Sequence, residues 1–128
     1  MEKEFVNYNQ ALKLKTLGFN RECGACYYKK FDNEIGYHKV YRDFNSVSLT
    51  TSAPTYSQAF RWFREKYNIY AIILPSYADD KVVKDRFFYE IANGRKLNQE
   101  LNYHNTYEEA ELACLDKLIK IVEQKNEK

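Results

Sequence analysis

The sequence predicts an α+β protein with the element order αββαββα, whose two hairpins form one four-stranded antiparallel sheet with helices packed on one face. One observation is a short pattern (Asn or Thr, Tyr, any residue, Gln or Glu, Ala) that begins at Asn7, Thr55 and Thr106. Its recurrence at intervals of about 50 residues indicates duplicated structural units. A second observation is that two strand-like segments lie between successive copies of the pattern.

Each copy of the pattern predicts the start of a helix. In a capping box, an oxygen of Ser, Thr or Asn accepts a hydrogen bond from a backbone N–H of the first turn. The Gln or Glu three positions later reaches back to the N–H of the cap residue. We interpret the shared Tyr and Ala as similar packing rather than as a shared binding site. The pairs are Asn7–Gln10, which is the loosest match, Thr55–Gln58 and Thr106–Glu109.

The first repeat is predicted to be a helix followed by a hairpin. The helix covers Tyr8–Leu17, and Gly18 is placed for a carboxyl-terminal cap. A strand over Ala25–Lys29 is followed by a turn at residues 32–34. The segment Gly36–Arg42 alternates in side-chain character, which is typical of a half-buried strand.

The second helix follows a Ser/Thr-rich connection over residues 43–54. It is predicted from Thr55 to about Tyr67, and Asn68 can end it. Its aromatic residues recur at helical spacing, so they share one narrow face. These residues are Tyr56, Phe60, Phe63 and Tyr67.

The second hairpin is predicted to have a long loop. An apolar run over Ile69–Leu74 has the length of a strand and is stopped by Pro75. Residues 76–85 are polar and are predicted to form the loop. The return strand covers Arg86–Ile91 and ends before Asn93-Gly94.

A closing helix is predicted from Thr106 to about Gln124. Leu112 and Ile119 are displaced from its main apolar stripe, and we expect them to face another helix of this chain or a second subunit. The stripe consists of Tyr107, Ala110, Cys114, Leu118, Ile121 and Val122.

Length and composition predict a single globular domain. The 128 residues would comprise repeats over about 7–42 and 55–92 and the closing helix over 106–124. The chain is 45% hydrophobic and 16% aromatic, so disorder is not expected. A net charge of +2 implies no extended polyanion partner by itself.

The amino end does not resemble a signal peptide and the chain has no long apolar stretch, so we expect a cytoplasmic protein without membrane association.

The Cys23-x-x-Cys26 motif is the most specific chemical signal in the chain. Redox proteins place such a pair at the start of a helix, whereas this pair precedes a predicted strand. Zinc would need two more ligands from Cys114, His38 and His104, and their spacing does not favour a closed site. We therefore expect reduced thiols at a strand entry and no cofactor or metal. The chain also has no nucleophile motif and no glycine-rich phosphate loop, so no enzymatic activity is expected.

The second helix carries the predicted partner-binding residues. Trp62 lies about 120° from the aromatic stripe, so it is either packed beneath another segment or displayed as an anchor for a partner. The cations Arg61, Arg64 and Lys66 surround it. Nucleic acid is an alternative partner, because aromatic residues on the sheet could stack on bases. Those residues are Tyr27, Tyr28, Phe87, Phe88 and Tyr89.

Two segments carry a resemblance to a known group of proteins. Pro54 to Tyr70, with the sequence PTYSQAFRWFREKYNIY, and Asn105 to Ala110, with the sequence NTYEEA, are similar to small proteins of gut Bacteroidales and their bacteriophages. The resemblance covers roughly the carboxyl-terminal 75 residues of the chain. The group has no established activity, so no site residue carries over. The resemblance implies an accessory protein of a phage or mobile element that acts inside a bacterial cell.

Together these observations predict a small non-enzymatic interaction module. The excess of aromatic residues without catalytic groups favours binding of a host or phage protein, through the Trp62 and Arg64 surface or the exposed face of the sheet. A homo-oligomer fits the same excess. The alternatives are a nucleic-acid or nucleotide-binding protein and a structural component of a virion.

Overall fold

The computed structural model describes residues 2–31, 33–94, 96–99 and 103–126 and confirms the α+β class. The chain divides into two compact units, Met1–Trp62 and Phe63–Lys128, with the boundary inside the second helix. The expectation of one domain stays a prediction. No helix within the described ranges combines the length and apolarity needed to cross a membrane.

The capping boxes predicted for the first two helices are confirmed. The Oδ1 atom of Asn7 accepts from the Gln10 N–H at 2.8 Å, and the Gln10 Oε1 atom accepts from the Asn7 N–H at 3.3 Å. Thr55 and Gln58 make the same two bonds at 3.2 and 2.9 Å. Each pair satisfies two backbone donors that the helix itself leaves without acceptors. The helices are α1 (Tyr8–Leu17) and α2 (Tyr56–Tyr67).

The third helix, α3 (Tyr107–Asn126), has a variant of the box. Thr106 Oγ1 accepts from the Glu109 N–H at 3.1 Å, as predicted. The Glu109 carboxylate instead accepts from the N–H of Asn105 at 3.2 Å, one residue before the expected donor. The Glu109 carboxylate therefore satisfies a donor outside the helix, and the start of α3 is still correctly predicted.

The predicted ends of the first two helices are also confirmed. Gly18 has φ +96°, and the N–H of Phe19 donates to the carbonyl of Leu14 at 2.9 Å. Asn68 has φ +57°, and its N–H donates to the carbonyl of Arg64 at 3.1 Å. Gly and Asn are the residues that most readily adopt this left-handed conformation, which is why both ends are visible in the sequence.

The first unit contains a three-stranded antiparallel sheet in the order β2-β1-β3. Its third strand lies within the segment 43–54, which the sequence identifies only as a Ser/Thr-rich connection. This strand has only three residues and is polar. The burial of Thr50 is tolerated because its hydroxyl donates to the Phe44 carbonyl at 2.7 Å. Of the turn predicted at 32–34, residue 32 lies outside the described residues. The strands are β1 (Cys23–Tyr28), β2 (Glu34–Arg42) and β3 (Thr50–Ser52).

The second unit contains a separate three-stranded antiparallel sheet in the order β4-β5-β6. The prediction of one four-stranded sheet is therefore wrong. The short strands β3 and β6, which the sequence pattern did not reveal, each complete the sheet of their own unit. Pairing between distant segments decides this partition, and no local pattern encodes it. The strands are β4 (Ile69–Ala78), β5 (Lys81–Asn93) and β6 (Lys96–Gln99).

The long hairpin loop predicted over residues 76–85 is also wrong. The strands continue to a two-residue turn at Asp79-Asp80, where φ is +51° and +62°. Positive φ at both central residues defines a turn whose twist matches that of the flanking strands, and Asp tolerates it. Pro75 does not stop β4 but coincides with a register shift between Pro75 and Tyr77. An edge strand accommodates a proline in this way.

Helix α3 packs on one face of the second sheet and contacts β4 and β5. Ile69, Tyr89 and Ile91 of the sheet are buried. The predicted stripe of α3 is largely confirmed, although Tyr107 is 44% exposed. Of the displaced residues, Ile119 is buried and Leu112 is exposed. The buried residues of α3 are Ala110, Cys114, Leu115, Leu118, Ile119 and Val122.

Candidate functional site

Trp62, which the sequence allows to be either packed beneath another segment or displayed as an anchor, is only 1% exposed. Its ring packs edge-on against the ring of Phe19, with 5.3 Å between the centroids. An anchor that must be displayed on the surface is therefore the wrong interpretation, and Trp62 belongs to a core. The physical reason is that α2 is buried over much more than one narrow stripe. Its buried residues are Tyr56, Ala59, Phe60, Trp62 and Phe63.

The three cations around Trp62 differ in exposure. Arg61 and Lys66 are exposed, whereas Arg64 is half-buried. The ammonium of Lys66 lies 5.5 Å from the centroid of the neighbouring Tyr67 ring. Partner binding by Arg61, Arg64 and Lys66 stays a prediction, but these residues no longer surround an exposed aromatic side chain. Trp62 therefore does not give their surface the large apolar contact that usually dominates binding energy.

The Cys pair lies at the beginning of β1, as predicted, and both thiols are free and fully buried. Burial raises the pKa of Cys23 to about 12. Burial also raises the pKa of Cys26. Because the thiolate is the reactive form, this environment suppresses nucleophilic and redox chemistry at both residues.

A hydrogen-bonded cluster that the sequence did not predict surrounds His38. Its Nε2 atom lies 2.5 Å from the Tyr28 hydroxyl and 3.6 Å from the Cys26 sulfur. Gly36 makes room for the Tyr28 ring, since a Cβ atom there would lie 2.4 Å from a ring carbon. Among the described residues, no three His, Cys, Asp or Glu side chains come together as metal ligands. The cluster joins β1 to β2 and holds a protonated thiol.

The position of His38 explains why spacing alone could not find this cluster. Cys26 pairs with Gly36, so His38, two positions further along β2, lies on the same face of the sheet and diagonally opposite Cys26. The register that pairs Cys26 with Gly36 is decided by contacts between the two strands, and spacing in the sequence does not encode it. The alternation of Tyr28 and Cys26 along β1 was the only available signal, and it does not identify their partner.

His104 is held differently, beside β5. It exchanges two backbone hydrogen bonds with Phe87, both 2.8 Å long. Its ring stacks on Tyr89 with 6.5 Å between the centroids. The Nε2 atom is buried and has no hydrogen-bond partner in the described part of the chain. These contacts place no Cys thiol and no carboxylate beside the His104 ring, so they form no acid–base pair.

One face of the second sheet is not covered by α3, and we call it the open face. Side chains alternate along a strand, and directly opposed residues share a face. Ile69 and Ile91 point to the α3 side, so the opposed pairs Ile72–Glu90 and Leu74–Phe88 lie on the other side. The open face comprises Tyr70, Ile72, Leu74, Arg86, Phe88, Glu90, Ala92 and Tyr103, the last by its contact with Phe88.

The open face combines aromatic, aliphatic and cationic groups. Tyr70 is 49% exposed and Ile72 is 53% exposed. The rings of Phe88 and Tyr103 meet edge-on at 6.1 Å, and the Arg86 guanidinium lies 4.8 Å from the centroid of the Tyr103 ring. Leu74 and Phe88 lie directly opposite each other on the same face and are half-buried. Large rigid side chains with an adjacent Arg are typical of protein contact surfaces.

The sheet aromatics predicted as stacking groups do not share one surface. Phe87 packs against Tyr107 of α3, and Tyr89 is 6% exposed, so only Phe88 of this trio lies on the open face. In the first unit, the Tyr27 hydroxyl donates to the Val6 carbonyl at 2.6 Å, and Tyr28 is bonded to His38 as described. Strand alternation separates consecutive aromatic residues.

Glu111 of α3 gives a pH-dependent prediction. Burial, together with the nearby charge of Glu108, raises the pKa of Glu111 from 4.5 to about 7. The folded state therefore binds a proton that the unfolded state has lost between these values, and stability falls as pH rises through this window. We expect Glu111→Gln to stabilise the protein by about 1 kcal/mol near pH 8, after allowance for solvent screening, and to have little effect near pH 4.

Urea denaturation at both pH values tests this expectation. Glu123→Gln is the matched control, because Glu123 is exposed on the same helix. An equal gain for Glu111→Gln at both pH values would show that the substitution acts through packing rather than through the proton.

Comparisons of the chain with protein-family models, with curated proteins and with solved structures gave no match.

Proposed function

We propose that this protein is a small non-enzymatic interaction module that binds another protein through the open face. The observation that carries the proposal is the asymmetry of the second sheet. Helix α3 covers one face, whereas Tyr70 and Ile72 remain about half exposed on the other. Adjacent exposed aromatic and aliphatic side chains of this kind mark interaction sites on proteins.

The composition of the open face favours a protein partner. Tyr70, Phe88 and Tyr103 supply large contact areas with few rotatable bonds, and Arg86 lies against Tyr103. Tyr and Arg are enriched among the residues that carry most of the binding energy at interfaces. The buried thiols have raised pKa values, and the Nε2 atom of His104 has no hydrogen-bond partner in the described part of the chain, so these groups form no acid–base pair there.

The resemblance to proteins of gut Bacteroidales and their phages supports the choice of partner class. It implies that the proposed module acts in a bacterial host cell, with a host or phage protein as its partner. For a structural component of a virion, the protein bound by the open face is another virion protein.

A photo-crosslinking amino acid at position 103 tests the proposal, since Tyr103 is 58% exposed on the open face. The protein captured in phage-infected cells is identified, purified and titrated against the wild type and Tyr103→Ser. We expect Tyr103→Ser to weaken binding about thirtyfold, as expected for a residue at an interface hot spot. Tyr77→Ser is the matched control, because Tyr77 is a 68% exposed tyrosine near the β4-β5 turn. Equal affinities of wild type and Tyr103→Ser would contradict the proposal.

Single-stranded nucleic acid is the second candidate. Three aromatic rings with one Arg on a sheet also suit base stacking. The negative charge of Glu90 on the same face repels a phosphate backbone, which is why we favour the protein partner. Filter binding with single-stranded oligonucleotides at two salt concentrations separates the two. Retention that is salt-sensitive and lost in Tyr103→Ser would favour nucleic acid.

A further inference from the structure

The free edge of β4 is the least explained feature of the second sheet. Within the described ranges, β5 is the only strand that pairs with β4. In a strand paired on one side, every second residue directs its N–H and C=O away from the neighbour. The segment Ile69–Leu74 is apolar throughout, so this strand edge is apolar, and its outward N–H and C=O groups pair with no strand in the described part of the chain.

We infer that β4 pairs antiparallel with β4 of a second copy of this chain. No residue from Ile69 to Ala78 is charged, so two copies bring no like charges together. The edge strand β2 offers a contrast, because it carries Glu34, Lys39 and Arg42 and a shifted register. Edge charges, prolines and bulges are the devices that prevent strand pairing between molecules. β4 has no charge, and its Pro75 and register shift lie beyond the segment Ile69–Leu74.

The geometry of the strand restricts how the two copies meet. Pro75 has no N–H, which confines regular pairing to Ile69–Leu74. A two-fold axis perpendicular to the sheet keeps like faces on the same side, so opposed residues must be an even number of positions apart. A register centred on Ala71 meets this requirement and places Tyr70 opposite Ile72 of the second copy. Aromatic and β-branched residues form favourable cross-strand pairs.

Pairing in this register has a consequence for the open face. The two sheets become one sheet of six strands, with both copies of α3 on one side. The two open faces then form one continuous surface on the other side. The inference concerns the edge of β4 and does not depend on which partner the open face binds.

Sedimentation equilibrium over a range of protein concentrations tests the inference. We expect the wild type to form dimers and Ile72→Lys to raise the dissociation constant at least about tenfold, because Lys on an edge strand opposes pairing. Ile72 is 53% exposed, and circular dichroism checks that the variant folds. Tyr77→Lys is the control, since it adds the same charge to β4 beyond Pro75 and should dimerise like the wild type. A monomeric wild type, or an Ile72→Lys dimer as tight as the wild type, would overturn the inference.

Amide hydrogen exchange distinguishes edge pairing from contact through the open face. Edge pairing protects alternate amides within residues 69–74 as the concentration rises. Dimerisation without this alternating protection would also overturn the inference. A monomeric wild type that still binds its partner through Tyr103 would leave the proposed function intact, so the two can fail separately.

Discussion

Replacing Trp62 with Ala is expected to lower the free energy of unfolding by about 3–5 kcal/mol, the range for removing a large aromatic side chain from a core. Trp62 is 1% exposed, and its ring meets that of Phe19 in an edge-to-face arrangement. The substitution removes the apolar surface that Trp62 buries and leaves a cavity that its neighbours fill only in part.

Urea denaturation followed by far-UV circular dichroism measures this effect. Fluorescence is unsuitable, because Trp62 is the only Trp in the chain. Arg61→Ala is the matched control, since the adjacent exposed position should change stability by no more than about 0.5 kcal/mol. A Trp62→Ala variant as stable as Arg61→Ala would restore the interpretation of Trp62 as a displayed partner anchor.

Leu118→Ala is expected to destabilise the protein by about 2–5 kcal/mol, the range measured for buried Leu. Leu118 is fully buried in the middle of α3, on the side that contacts β4 and β5. The helix is long, but most of its stability comes from the burial of this face rather than from intrinsic helix preference. Truncation of Leu118 therefore weakens the attachment of the only helix that covers the second sheet in the described part of the chain.

Leu112→Ala provides the comparison within the same helix. Leu112 is 38% exposed, so its truncation should cost less than about 1 kcal/mol. Chemical denaturation of both variants measures the difference. Equal losses would mean that α3 uses both sides in packing, for example by burying Leu112 against a second subunit.

The sequence was most informative where one local interaction fixes the backbone. Thr55 and Gln58 lie three residues apart in the chain, so their reciprocal hydrogen bonds need no tertiary context. The same holds for Gly18 and Asn68, whose positive φ angles end the first two helices. These features were predicted because the atoms that make them are neighbours in sequence.

Prediction failed where the result depended on distant segments. The polar residues Thr50–Ser52 form β3 only because β1 offers them hydrogen-bonding partners. The turn at Asp79-Asp80 resembles an ordinary polar loop until the two long strands beside it are seen to pair. Phase on the helix predicted that Trp62 lies away from the aromatic stripe, but phase does not determine whether another residue, here Phe19, covers it.

The candidate sites show the same division. Strand alternation in the sequence separates Phe88 from Phe87 and Tyr89 once the strand is known. Only the tertiary structure reveals that α3 takes one face of the second sheet and leaves Tyr70 and Ile72 about half exposed on the other. Only the tertiary structure reveals that the pairing of Cys26 with Gly36 brings His38 to Cys26. The sequence by itself determined the helix boundaries, because backbone capping is local. The tertiary structure decided sheet partners and burial, because these depend on contacts between segments far apart in the chain.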